Sequence, residues 1–186
     1  LFHEAGFPPG VYNCLCGQGR VVGMALVRHP LVRGVSFTGS TAVGRVIQAE
    51  AAPRFCRTQL ELGGKNALIV MADADLDAAI EAAMTAAFAC AGQWCTSTSR
   101  ILLQSEIAPD FTRRLKQRGE AMVVGDPLDE STDMGPVAGP NQFQTVAGYI
   151  EKGLSEDCDM ITGGVCGGEL GERGYFIRPT LFQNVS

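Results

Sequence analysis

An α/β fold built on parallel strands is predicted by three features of the chain. Short β-type runs alternate with segments of helical period, which is the signature of strands joined by crossover helices. Glycine and hydroxyl residues cluster where such a run gives way to a helix, at Phe37-Thr-Gly-Ser-Thr-Ala-Val-Gly44. Finally, 46% of the 186 residues are hydrophobic, enough to bury a core of that size.

The opening reads as the tail of a helix running into a Pro8-Pro9-Gly10 turn, followed by a β-type run at Val11 to Cys16. Val22 to Arg28 has a short helical pattern, and Gly34 to Thr38 a strand pattern. A helix follows in which Ser40 or Thr41 can cap the first turn and Pro53 supplies the stop. Arg57 to Leu62 and Asn66 to Met71 flank Gly63-Gly64 as two extended pieces, and this pair is the expected domain boundary, separating 1–63 from 64–186. Asp73-Ala-Asp-Leu-Asp77 offers N-caps for a helix from about Leu76 to Ala89, on which Ile80, Ala83, Met84, Ala87 and Phe88 keep the 3.6-residue period. Beyond it come a strand at Ile101 to Gln104, a helix over Pro109 to Val123 and a loop from Gly125 to Pro140. A helix over Gln142 to Ser155, a short strand at Met160 to Thr162, a Gly-rich loop over Gly163 to Gly174 and a β-rich closing stretch, Phe176 to Ser186, complete the series.

The net charge of -5, without a basic run interleaved with aromatics, argues against nucleic acid and for small-molecule partners. The longest apolar candidate, Ala78 to Ala91, is interrupted by Glu81 and Thr85 and falls short of the roughly 18 to 20 residues a membrane helix needs. The start lacks a basic stretch followed by an apolar one, so a cytoplasmic location is expected. Seven cysteines at positions 14, 16, 56, 90, 95, 158 and 166 lack framework spacing and are expected to be reduced thiols, mostly small buried hydrophobes. With only His3 and His29 as imidazoles and no Cys-x-x-Cys spacing, a metal site is not expected.

Three constellations carry chemistry. At Phe37 to Gly44, free N–H groups and the positive end of a helix dipole suit a phosphate, although Thr41 stands where the common G-x-G-x-x-G fingerprint has its second glycine. A turn that only caps a helix fits that motif equally well. In Leu60-Glu-Leu-Gly-Gly-Lys-Asn66, Glu61 is either a general base, its proton affinity raised by an apolar setting, or a solvated strand-end glutamate. In Gly92-Gln-Trp-Cys-Thr-Ser-Thr-Ser-Arg100, Cys95 lies in a polar, hydroxyl-rich loop with an arginine nearby. That setting favours an accessible thiolate over the more apolar neighbours of Cys90, although a buried structural cysteine is the usual alternative.

Taken together and in this order, the three segments resemble the signature of the NAD(P)-dependent aldehyde dehydrogenase superfamily, and the interval from Glu61 to Cys95 is like that of its members. Weaker resemblance runs from Ala5-Gly-Phe-Pro-Pro-Gly-Val11 through Met134-Gly-Pro-Val137 to Gly174-Tyr-Phe-Ile-Arg-Pro-Thr180. The resemblance implies part of a Rossmann-like cofactor domain in 1–63, followed by most of an α/β catalytic domain in 64–186. It implies that Cys95 attacks an aldehyde to give a thiohemiacetal, that hydride passes to the nicotinamide of NAD or NADP, and that Glu61 activates the water that hydrolyses the thioester. The backbone N–H of Cys95 would supply half of the oxyanion hole. Ser40 would contact the cofactor pyrophosphate, with Val43 beside it and Gly39 and Gly44 allowing close approach, while Leu62 and Gly63 would lie near the nicotinamide. Branches that pass the acyl group to coenzyme A or phosphate commonly lack the base, so Glu61 favours release of a free acid.

The family's oxyanion asparagine and ribose-binding lysine belong upstream of Leu1, and its Glu-x-Phe-Gly-Pro motif and oligomerisation strand belong downstream of Ser186. The chain is therefore expected to be a central fragment, inactive by itself, of a homodimer or homotetramer. The rival expectations are a non-catalytic interaction module and a coenzyme A-acylating enzyme. Trp94-Cys-Thr-Ser-Thr98 and Met134-Gly-Pro-Val137 resemble bacterial members acting on short semialdehydes, such as α-ketoglutaric semialdehyde, or on betaine aldehyde.

Overall fold

A computed structural model describes residues 1–185. The chain is α/β and divides into two compact units, Leu1–Gly63 and a second from Gly64 onward.

In the first unit, a π turn at Gly19–Gly23 leads into α1 (Met24–Arg28). Strand β1 (Gly34–Gly39), helix α2 (Thr41–Ala51) and strand β2 (Arg57–Leu62) then form a β-α-β unit whose two strands pair in parallel. Ser40 caps α2 by accepting the Val43 N–H at 3.3 Å, and Pro53 ends the helix in a 3₁₀ turn after which Phe55 turns left-handed (φ 52°). Inward residues Thr58, Leu60 and Leu62 alternate along β2 with exposed Arg57, Gln59 and Glu61. Buried apolar residues here are Val27, Ile47 and Ala51.

The opening differs from expectation in two places. Residues 2–6 form turns, closed by bonds such as Ala5 N–H to the Leu1 carbonyl at 2.8 Å, rather than the end of a helix. Val11 to Cys16 finds no partner strand: Val11, Tyr12 and Leu15 are more than half exposed, and an apolar run without a ladder or a covering layer does not become a strand.

In the second unit, β3 (Asn66–Val70), α3 (Leu76–Phe88) and β4 (Thr98–Leu103) repeat the parallel β-α-β arrangement, with Asp75 capping α3 through the N–H groups of Asp77 and Ala78. Helix α4 (Ala108–Ala121) packs on α3, and Val70, Ile80, Ala83, Met84, Phe111 and Leu115 form the core between them. The period of α3 puts Ile80, Ala83 and Met84 on that inner face. Two arginines of α4 reach back across it: Arg118 makes a bidentate pair with Glu81 at 2.7 and 3.0 Å, and Arg114 pairs with Asp77.

After a long loop come α5 (Pro140–Ser155), β5 (Asp159–Val165), α6 (Gly168–Arg173) and β6 (Ile177–Gln183), with β5 and β6 antiparallel. The expected Gly-rich loop is thus partly regular. Gly163 and Gly164, at φ +109° and +102°, let β5 continue through a register shift, and a side chain at Gly163 would strike the backbone of Pro179 and Thr180. Gly168 to Arg173 is a short helix. The closing stretch is a strand as expected, and Ser186, its last residue, lies outside the described residues.

Candidate functional site

The candidate residues of the first unit gather at the carboxyl ends of β1 and β2, the edge of an α/β sheet where ligands bind. The parallel register sets Thr38 opposite Glu61 and Gly39 opposite Leu62, so the Ser40 turn and Glu61 are neighbours on that edge. Among the described residues, no hydrogen bond reaches the Glu61 carboxylate, which is exposed rather than set in an apolar pocket. Ser40 and Val43 are exposed in the first turn of α2, where its positive dipole end faces out.

The glycines divide by what limits them. Gly44 is buried, and a Cβ there would sit 2.8 Å from Leu62 Cδ2, so its smallness lets α2 lie close on β2. A Cβ at Gly39 would collide with the Phe37 ring, whereas one at Gly63 would meet nothing within 4 Å.

In the second unit, α3 ends in a 3₁₀ turn at Ala89–Gly92 in which Cys90, Ala91 and Gly92 are successively left-handed (φ 51°, 55° and 70°). Two consecutive non-glycine residues in that region are strained, and such strain collects at functional segments. Gln93 braces the turn: its Nε2 donates to the Cys90 carbonyl at 3.0 Å while its Oε1 accepts the Ala138 N–H at 2.9 Å. Cys95 follows on an exposed loop in which Trp94 and Ser97 close a turn through Ser97 N–H to the Trp94 carbonyl (3.1 Å) and Trp94 N–H to Ser97 Oγ (3.2 Å). Asn66 Nδ2 donates to the Cys95 carbonyl at 2.8 Å, and Arg100 Nη2 to the Lys65 carbonyl at 2.7 Å. Arg100 is thus engaged with the backbone. An open groove lined by Ala82, Thr85, Ala86, Trp94 and Thr96 flanks the loop.

The cysteines correct one expectation: Cys14, Cys16, Cys90 and Cys95 are all exposed, and only Cys166 is buried. Cys90 therefore lacks the apolar surroundings expected of it. Burial pushes the Cys166 thiol above its ordinary value, against the opposing effect of Arg178, which makes it the inert structural cysteine of the set. Asn66 and Gln93 were not among the expected site residues. Both stand inside the motifs, but the partners of a side-chain amide are set by the folded loop. No helix of the described residues is long and apolar enough to cross a membrane.

The first unit is thus a β-α-β unit with an open glycine and hydroxyl turn, and the second, which follows it in sequence, displays a thiol on a polar loop. The chain belongs to the aldehyde dehydrogenase family, whose model matches residues 1–186. It is 46% identical over its whole length to alpha-ketoglutaric semialdehyde dehydrogenase of Bacillus subtilis, covering 38% of that protein, and 45% identical to the mitochondrial aldehyde dehydrogenase of Homo sapiens, covering 35%. Among solved structures, an aldehyde dehydrogenase from Bacillus cereus matches all of the chain with a TM-score of 0.95 and 36% identity, over 37% of its own length. Betaine aldehyde dehydrogenase from Staphylococcus aureus, in complex with NAD+, matches 99% of the chain at 0.94 and 34%, again over 37%. The chain spans less than two fifths of the length of these relatives.

Proposed function

We propose that the protein to which this chain belongs oxidises an aldehyde to a carboxylic acid with NAD or NADP, using Cys95 as nucleophile and Glu61 as general base. The observation that carries this reading is the presentation of Cys95: an exposed thiol on a loop fixed by hydrogen bonds from β3, next to a strained turn. The Cys95 thiolate adds to the carbonyl carbon, hydride loss converts the thiohemiacetal to a thioester, and water, giving its proton to the Glu61 carboxylate, displaces the thiolate and releases the acid. The Cys95 N–H donates to the developing oxyanion.

The residues at the β1 and β2 edge suit a dinucleotide. The exposed first turn of α2, with Ser40 at its cap and Val43 beside it, offers N–H groups and dipole to a pyrophosphate, and Gly39 keeps the turn free of a side chain. At Gly63, where the chain's own packing would admit a Cβ, close approach of a ligand is the proposed reason for glycine, with Leu62 alongside. Bound cofactor supplies the hydride acceptor. That the relative from Staphylococcus aureus was solved with NAD+ supports the same assignment.

We take the substrate to be a short aldehyde, in keeping with the semialdehyde and betaine aldehyde relatives, and the whole protein to be a homodimer or homotetramer. The units 1–63 and 64–186 are read as parts of a cofactor domain and a catalytic domain. The 186-residue chain by itself is expected to be inactive, and NAD-dependent aldehyde oxidation by this chain alone would contradict that. In the whole enzyme, Cys95→Ala should abolish oxidation, whereas Glu61→Gln should spare the first turnover of NADH and slow only acid release. A Glu61→Gln enzyme with unimpaired steady-state turnover would remove the base from the mechanism.

A further inference from the structure

Asn66 stands at the start of β3, directly after the Gly-Gly-Lys segment, and its side chain spends both amide hydrogens on the nucleophile loop. Nδ2 donates to the Cys95 carbonyl at 2.8 Å and to the Ser97 carbonyl at 3.3 Å. The backbone carbonyl of Asn66 in turn accepts from Ser99 Oγ at 3.4 Å. At this same point the register of β3 and β4 slips, from Asn66 opposite Thr98 to Ala67 opposite Arg100, so Ser99 is an extra residue in the ladder. The loop itself, Trp94-Cys-Thr-Ser-Thr98, is small and polar apart from a half-exposed Trp94. Apolar packing therefore does little to hold it, and hydrogen bonds must.

We propose that Asn66 is a positioning residue for the Cys95 thiol. Fixing the Cys95 carbonyl fixes the peptide plane that follows Cys95 and with it the rotation about its Cα–C bond. The backbone from which Cβ projects is then held before substrate arrives, and Sγ is left only the staggered positions about Cα–Cβ. The bulge at Ser99 lets β4 begin without pulling the loop off this anchor. The inference rests on the assignment of Cys95 as nucleophile.

The test is single-turnover NADH formation by the whole enzyme, held in excess over aldehyde, for Asn66→Ala, Asn66→Asp and Asn66→Gln, with Cys95→Ala in parallel. Asn66→Asp keeps the shape and removes the donor. A reacting atom misplaced by about 1 Å costs about 100-fold in rate, so the Ala and Asp variants should lose about 100-fold in the rate constant at undiminished amplitude. Asn66→Gln, which keeps a donor one methylene further out, should recover about tenfold of that loss. A merely structural role predicts the reverse, a reduced amplitude at an unchanged rate constant, and that result overturns the proposal. Should Asn66→Ala and Asn66→Asp fail to fold, Asn66→Gln decides: a lowered rate constant at full amplitude supports the role, and an unchanged one overturns it. Turnover by Cys95→Ala would defeat the nucleophile assignment itself, whereas an inactive Cys95→Ala beside normal Asn66 variants would defeat this inference alone.

Discussion

The two units of the chain hold their candidate residues by different means. From Gly64 onward, a core around the fully buried Phe111 packs α3 and α4 on β3 and β4, and the thiol loop hangs from that block by side-chain hydrogen bonds. Among apolar side chains the first 63 residues bury Val27, Ile47 and Ala51, and they leave Phe2, Phe7, Val11, Tyr12, Leu15 and Leu31 exposed. Their site rests on one strand pairing, one cap and the close approach of Gly44 to Leu62. The comparison teaches that the support of the proposed nucleophile, Cys95, is an internal property of its unit. The turn assigned to the cofactor instead stands on a unit with a thin core, and exposed apolar groups in that number mark surface fit for covering.

Core substitutions test this contrast most strongly. In the 186-residue chain, Phe111→Ala should cost about 3 to 5 kcal/mol by the usual scale for buried aromatics, read as a collapse of the denaturant midpoint. Ile47→Ala should cost about 2 kcal/mol, the low end for its class, because partly exposed surroundings can close over the gap. An Ile47→Ala loss equal to that of Phe111→Ala would break the comparison. Removing the cap with Ser40→Ala should cost about 1 kcal/mol and raise amide exchange in the first turn of α2, leaving α3 unaffected.

The smallest effect expected is in acid. The hydrogen bond from Arg118, with its charge, holds the Glu81 carboxyl below the ordinary glutamate value. A carboxylate whose folded value is depressed contributes stability above its unfolded value and loses it as pH falls through the folded one. Because the pair is exposed, the contribution is slight. Arg118→Ala should therefore lower the thermal midpoint a little at neutral pH, and the difference from the parent should vanish in acid below the usual carboxylate range.

Much of this was legible in the sequence. Caps and periods located α2, α3, α4 and α5, and β-type runs located the first four strands, because local chemistry and burial agree there. Val11 to Cys16 misled because a β-type run becomes a strand only with a partner. Gly163 to Gly174 misled because glycines that can break a strand can also bend one. Of the candidate site, Cys95, Glu61 and Ser40 could be read from residue type and order. Asn66 and Gln93 could not, because their task is to hold particular backbone carbonyls and N–H groups that only the folded loop brings within reach.

The central claim is that Cys95 is the atom-bearing residue of the chemistry. The direct test is to quench whole Glu61→Gln enzyme after one turnover with aldehyde and NAD, digest it and weigh the cysteine peptides. The account predicts an acyl adduct on Cys95 and none on Cys90, five residues before it and equally exposed. An adduct on Cys90, or NADH formed with no adduct on either, would contradict it.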